Sequence, residues 1–245
     1  MRGLSPCCAG TNDSVRPRGV MRPLRRNSLI ADINSQLLRQ KTTGSVYAFG
    51  IGRQGAQLSN TAILLVDLQR DFLGEKGSRM PVDPEGAAAV LRSANAILTE
   101  HALGSAIPVL VVNQFPASAR IASFFRHRAA LAGSPGAEID PRVRNYGQVK
   151  IISKCRPSAF TNPDLDAFLN SLGIRELYVI GVFAEGCVRA TVLDALRHGY
   201  KVNVIAGAVA TNRPWKKQFA LWAMKRAGAT LLPTLDQAGV SGAGN

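Results

Sequence analysis

The 245-residue chain is 46% hydrophobic and carries a formal net charge of +14. That composition supplies a core for one large or two small α/β domains, and no apolar run approaches the roughly 20 residues of a membrane helix. Residues 1–60 hold nine Lys/Arg against Asp13 and Asp32, half of the excess charge, and no basic stripe interleaved with aromatics follows, so the balance points to neither nucleic acid nor membrane as partner.

The four cysteines, Cys7, Cys8, Cys155 and Cys187, and the three histidines, His101, His127 and His198, show no metal-ligand spacing. Neither a zinc site nor a disulfide framework is expected, which makes a reducing, cytoplasmic setting the default. Residues 1–58 lack a sustained hydrophobic period and are expected to form a basic, disordered extension with a short helix at Ser28–Arg39. An Arg-rich, acid-poor leader is also the composition of organelle transit peptides. An over-long start, with Met21 as the alternative initiator, is a third reading.

Order is expected from Thr61–Val66, an unbroken apolar run ending in Asp67. Apolarity without alternation marks a strand covered on both faces, as in parallel α/β sheets. A helix fits Pro84–Leu103, stopped by Gly104, and Pro108–Asn113 is a second buried strand. Residues 114–146 are irregular, with turns at Gly133-Ser134-Pro135-Gly136, and an insertion of that length is expected to be a functional loop or lid. Gln148–Ser153 makes a third strand, ending in Lys154. Thr161 or Asn162 caps the next helix, Pro163 suits its first turn, and Gly173 closes it.

Leu177–Val182 is the fourth strand, followed by a tight turn and a helix carrying Val188, Val192, Ala195 and Leu196 on one face. Lys201–Ile205, Trp215–Ala227 and Ala229–Leu232 complete the alternation as strand, helix and strand. The pattern predicts a three-layer α/β/α domain over about 59–240, with a doubly wound, mostly parallel six-stranded sheet of Rossmann-like type.

Ligands of such sheets bind beyond the carboxyl ends of the strands. Asp67, Lys154 and Cys187 all fall there. Each has a plain explanation: a turn cap, a solvated charge, a buried thiol. Together they suit acyl transfer. Asp67 takes the thiol proton and returns it to a leaving amine, Lys154 holds the carboxylate, and Cys187 attacks a carbonyl to give a thioester. Amides of the Phe183–Cys187 turn, including that of Cys187, are the expected oxyanion donors. A thiol at the start of a helix is expected to lean toward thiolate.

Three ordered segments carry a family resemblance. They are Val66-Asp67-Leu68-Gln69-Arg70-Asp71-Phe72, then Lys154-Cys155-Arg156-Pro157-Ser158-Ala159-Phe160, then Gly181-Val182-Phe183-Ala184-Glu185-Gly186-Cys187-Val188 with Thr191, Asp194 and Ala195. The chain resembles the isochorismatase-like cysteine hydrolases over about 60–240. The resemblance implies an Asp67–Lys154–Cys187 triad and a non-proline cis peptide, expected at Phe183–Ala184. It implies a small-molecule substrate and a dimer or tetramer. Gly133–Glu138 is similar to the family's Gly-x-Pro-Gly-x-Glu segment near the pocket.

Departures from the family refine the expectation. Nicotinamidase-like members carry a His-containing metal motif where this chain has Asn113-Gln114-Phe115-Pro116, so neither metal nor other cofactor is expected. Members that hydrolyse the vinyl ether of isochorismate often lack the cysteine, which Cys187 supplies here. The expected reaction is C–N hydrolysis of a small amide, ureido or carbamoyl compound; vinyl ether hydrolysis and a non-catalytic binding or oligomerisation module are the alternatives. Ala184 stands where Thr is common and Gly207 where Asp is common. Phe72, Phe115, Arg156, Phe160 and Phe183 are the candidate pocket residues, with Arg156 suited to a substrate carboxylate and core packing the alternative for the aromatics.

Overall fold

The computed structural model describes residues 60–74, 78–100, 106–116 and 127–238. The expected N-terminal extension, its helix at Ser28–Arg39 and the Gly104 helix stop lie outside them. Among the described residues six strands and four α-helices follow in the order β1 (Thr61–Val66), α1 (Pro84–Glu100), β2 (Ile107–Asn113), β3 (Lys150–Lys154), α2 (Pro163–Ser171), β4 (Glu176–Val182), α3 (Arg189–Arg197), β5 (Lys201–Ala210), α4 (Pro214–Arg226) and β6 (Thr230–Leu232). The strands form one sheet in the order β3-β2-β1-β4-β5-β6, every pair parallel.

The apolar run of β1 has the physical cause its pattern implied. Ile63 and Leu65 enter one core layer with Val90, Ala94 and Ile97 of α1. Ala62, Leu64 and Val66 enter the other, with Leu165 of α2, Val192 of α3 and Met224 of α4. Successive strand side chains face opposite ways, so a central strand covered twice has no position left for a polar residue. The helices therefore flank both faces, giving the expected three layers.

Strand order reverses between β1 and β4, and that crevice is the switch point where open α/β sheets bind ligands. Asp67 follows β1 directly, and the turn carrying Cys187 follows β4. Backbone chemistry keeps these strand ends close. Gly181 pairs with Val66 at φ +122, and a Cβ there would overlap the Val66 carbonyl oxygen, so only glycine fits.

Beyond shifts of one or two residues at element ends, three features stand out against expectation. β5 runs on to Ala210 because its pairing with β4 shifts between Val179 and Gly181: Val204 partners Val179, and pairing resumes at Val209 opposite Gly181. Gly207 lies in the resulting bulge, its N–H donating to the Pro233 carbonyl at 2.9 Å. The helix after β4 begins at Arg189, preceded by a single π-turn over Ala184–Val188. The described part of the expected lid is a packed cover: Ala129, Ala130, Ala137 and Val143 are buried in the α1 layer, and Phe115 bridges to Leu131. Among the described residues no helix is long and apolar enough to cross a membrane.

Candidate active site

Asp67 sits in the left-handed region at φ 58, a conformation uncommon for residues other than glycine. Two bonds hold it. Its N–H donates to Val111 O at 2.8 Å, and its carbonyl accepts from Gln69 N at 2.8 Å. Its side chain is buried and meets Lys154, which is 1% exposed, with Nζ 3.0 Å from Oδ2. An ammonium that deep in a protein requires a partner, and Asp67 supplies it.

The same Oδ2 accepts a second bond, at 2.6 Å, from Asn113 Nδ2. Asn113 Nδ2 also lies 3.6 Å from Cys187 Sγ. Asp67 Oδ1 has no partner of hydrogen-bonding geometry, although the thiol and carboxylate interact. The thiol therefore interacts with a carboxylate that has one oxygen filled by Lys154 and Asn113 and the other without a partner. The three expected residues converge, and Asn113 stands among them.

The electrostatics overturn one expectation. Burial and the Asp67 charge push the Cys187 thiol up to about 12, with Lys154 and the Asn113 amide acting in the opposite sense. The helix-start environment is outweighed, because the turn is one short π loop and the sulfur is packed beside an anion. Cys187 rests as a neutral thiol. Burial likewise raises the Asp67 carboxyl, offset in part by Lys154. A raised carboxyl is the stronger proton acceptor, so this pair is chemically able to pass a proton from thiol to carboxylate.

The non-proline cis peptide lies at Val182–Phe183, one residue earlier than expected. The Phe183 carbonyl accepts from Gly186 N at 3.0 Å and Val188 N at 3.1 Å. That wide turn occupies the Gly186 and Val188 amides, whereas the first amides of a helical turn have no partner within it. Ala184 is fully buried in the layer beneath the turn, so its side chain fills core space.

The pocket candidates separate into two groups. Phe72 and Phe183 meet edge-on at 5.6 Å between centroids, and with Phe115 they lie buried in the α1 layer. Phe160 is turned elsewhere, against His198 at 4.8 Å and Tyr200 at 5.7 Å. Arg156 is exposed and lines a cleft of about 360 Å³ with Arg189 and Arg197, a cleft that contains none of Asp67, Lys154 and Cys187. Neither Phe160 nor Arg156 joins the cluster, because the chain leaves the sheet after Lys154 and turns outward.

Two residues of this site were not singled out from sequence. Gln69, fully buried, accepts from Asn113 N at 2.8 Å and donates to Asn113 O at 2.8 Å and Ala137 O at 2.6 Å. It ties the loop after β1 to the end of β2 and to the Gly133–Glu138 segment. Gly136 in that segment is required by packing, since a Cβ would overlap the Asp71 carboxylate. The signal for Asn113 was available: like Asp67 and Lys154, it is a polar residue ending an apolar strand.

The stretch after β2 offers amides and a phenyl ring, no zinc ligand of the usual kind. Among the described residues no three His, Cys, Asp or Glu side chains are grouped to hold an ion. The donor set here does not fit a metal.

Residues 61–236 match the family described as the isochorismatase domain. A protein from Arabidopsis thaliana named a probable inactive nicotinamidase is 29% identical over 188 residues, 73% of this chain and 94% of that protein. The nicotinamidase of Escherichia coli is 31% identical over 209 residues, 71% of this chain and 95% of that protein. Among solved structures, the pyrazinamidase of Pyrococcus horikoshii in complex with zinc superposes with a TM-score of 0.63 at 32% identity, covering 71% of this chain and 99% of that one.

Proposed function

The chain belongs to the isochorismatase family, a family of hydrolases, and on that premise we propose that it is a cysteine hydrolase cleaving the C–N bond of a small amide, ureido or carbamoyl substrate. The observation that carries this reading is the buried Lys154–Asp67 pair at 3.0 Å with Asp67 Oδ1 unpartnered beside a thiol.

The Cys187 S–H bond breaks as sulfur adds to the substrate carbonyl carbon, and the proton passes to Asp67. The carbonyl oxygen becomes an oxyanion held by backbone N–H groups of the turn at Phe183, Ala184 and Cys187. Collapse expels the amine, which takes the proton from Asp67 and leaves a thioester. Water then attacks with Asp67 as base, releasing the acid and restoring the thiol. Lys154, paired with Asp67 at 3.0 Å, steadies the carboxylate while its charge comes and goes. Phe72, Phe115 and Phe183, buried together in the α1 layer, are the apolar side chains proposed to face the substrate.

Support for a C–N substrate comes from the similar proteins named for amide hydrolysis and from the retained Cys187, which vinyl ether hydrolysis does not require. A non-catalytic role is the second reading, favoured by a thiol near 12 and by the similar protein named as probably inactive. The two readings separate by experiment. Cys187→Ala is expected to lower turnover about 10⁴-fold or more while the protein stays folded. Intact mass spectrometry across small amides and ureides is expected to reveal an acyl adduct on Cys187; full activity in Cys187→Ala would remove the thioester mechanism.

A homo-oligomer belongs to the same proposal. Trp215, Phe219 and Trp222 are 67%, 54% and 57% exposed along one side of α4, an apolar ridge of the kind copies bury against one another. Light scattering across a concentration series tests it.

A further inference from the structure

Asn113 ends β2 and pairs in register with Lys154, the end of β3. Its main chain is gripped at both the N–H and the carbonyl by the side chain of Gln69, so its side chain leaves the sheet from a fixed base. The amide can face only one way. Nδ2 is directed at the Asp67 carboxylate at 2.6 Å, and a flipped amide would set two oxygens against each other. Its remaining N–H is free to meet the sulfur, 3.6 Å from Nδ2. On the far side Oδ1 is buried with no partner. An orphaned acceptor weakens folding, and an apolar residue of the same volume would avoid that cost. A side chain held firmly and at a cost, with its donors on the carboxylate and the sulfur, suits chemistry better than packing.

We propose that Asn113 is a fourth catalytic residue, whose amide holds the forming thiolate and directs the thiol proton to Asp67 Oδ1. This rests on the nucleophilic role of Cys187 proposed above. Asp67 Oδ2 already accepts from Lys154 and Asn113, which leaves Oδ1 as the open acceptor. As the S–H bond breaks and the Oδ1–H bond forms, negative charge moves from carboxylate to sulfur. The Asn113 bond to Oδ2 then weakens and the contact to Sγ strengthens, so one amide serves whichever partner holds the charge. Lys154 cannot do the same with equal economy, because its charge is needed to keep Asp67 acceptable in the interior.

The test uses Asn113→Leu and Asn113→Asp in the full chain. Leucine keeps the branched heavy-atom skeleton and removes both donors and the orphaned oxygen. The loss of the 2.6 Å bond to Asp67 is offset in part by the loss of that unpartnered acceptor, so the variant is expected to stay folded with a melting temperature near or somewhat below wild type. Iodoacetamide modification of Cys187, followed by peptide mass at several pH values, needs no substrate. At about pH 8 its rate is expected to fall roughly tenfold or more in Asn113→Leu, in line with the dependence of reactivity on the thiolate fraction. Asn113→Asp, which adds a second carboxyl, is expected to be slower still. Acyl-adduct formation should slow about 10²–10³-fold, the usual cost of one lost donor, with KM little changed. A folded Asn113→Leu with the wild-type modification profile would overturn the proposal. Absence of any adduct in the wild type would instead count against the hydrolase reading, while the modification profile still decides on Asn113.

Discussion

Lys154 and Arg156 stand two residues apart, both cationic, both in a segment that resembled the family, and they end in opposite environments. Lys154 closes β3 with its side chain turned into the switch-point crevice, buried and paired with Asp67. Arg156 has left the sheet and borders an open cleft with Arg189 and Arg197. In the crevice each charge is strong because little water screens it. In the cleft, water and salt screen the guanidiniums, and their contributions are small. Charge alone therefore says little about function; what matters is whether the strand delivers the group into a dry place with a partner.

Several perturbations would break or sharpen that contrast. Lys154→Met should have the largest effect, because it leaves Asp67 buried without its cation. Loss of about 3–5 kcal/mol of stability is expected, measured by denaturant unfolding, with turnover down about 10²-fold or more. A Lys154→Met protein as stable as wild type would place the pair with the ordinary surface ion pairs.

The pH dependence comes next. Burial holds Asp67 above its ordinary carboxyl value, and in the proposed mechanism the carboxylate is the proton acceptor, so kcat/KM is expected to fall with acid while pH is still above the usual carboxyl range. Stability has the opposite sign. The folded chain binds this proton more tightly than the unfolded chain does, so its contribution is full at low pH and is lost as pH rises through the raised value. The thiol acts in the same direction at the alkaline end, with loss as pH climbs from 9.0 toward about 12. A pH–rate profile paired with melting curves over the same range separates the two. An acid limb at the ordinary carboxyl value would mean Asp67 is not the base.

Arg156→Ala should do least. Turnover on an uncharged amide is expected within about threefold of wild type and stability within about 0.5 kcal/mol, as for other exposed positions. A large rise in KM for carboxylate-bearing substrates would move the outer cleft into the site.

Much of this protein was legible from residue order. β1 appeared at its expected bounds because a doubly covered strand must be apolar throughout, and Asn162 caps α2 through Asp164 N as its side chain allows. Asp67, Lys154 and Cys187 were legible because polar groups ending apolar strands fall on one edge of a parallel sheet. Asn113 obeyed the same rule but was read only as part of a stretch without histidine. The length of β5 was hidden, since a bulge is a property of pairing with β4 and leaves no mark in composition.

What the sequence determined by itself was local and periodic: which segments are covered on one face or two, where helices are capped, and which chemical groups end the strands. Tertiary structure alone decided the rest. It brought Cys187 beside a buried anion and so reversed the expected thiolate, moved the cis bond to Val182–Phe183, and sent Phe160 and Arg156 outward. Those outcomes depend on distances between residues far apart in the chain, and burial and Coulomb interaction act through distance, not through order.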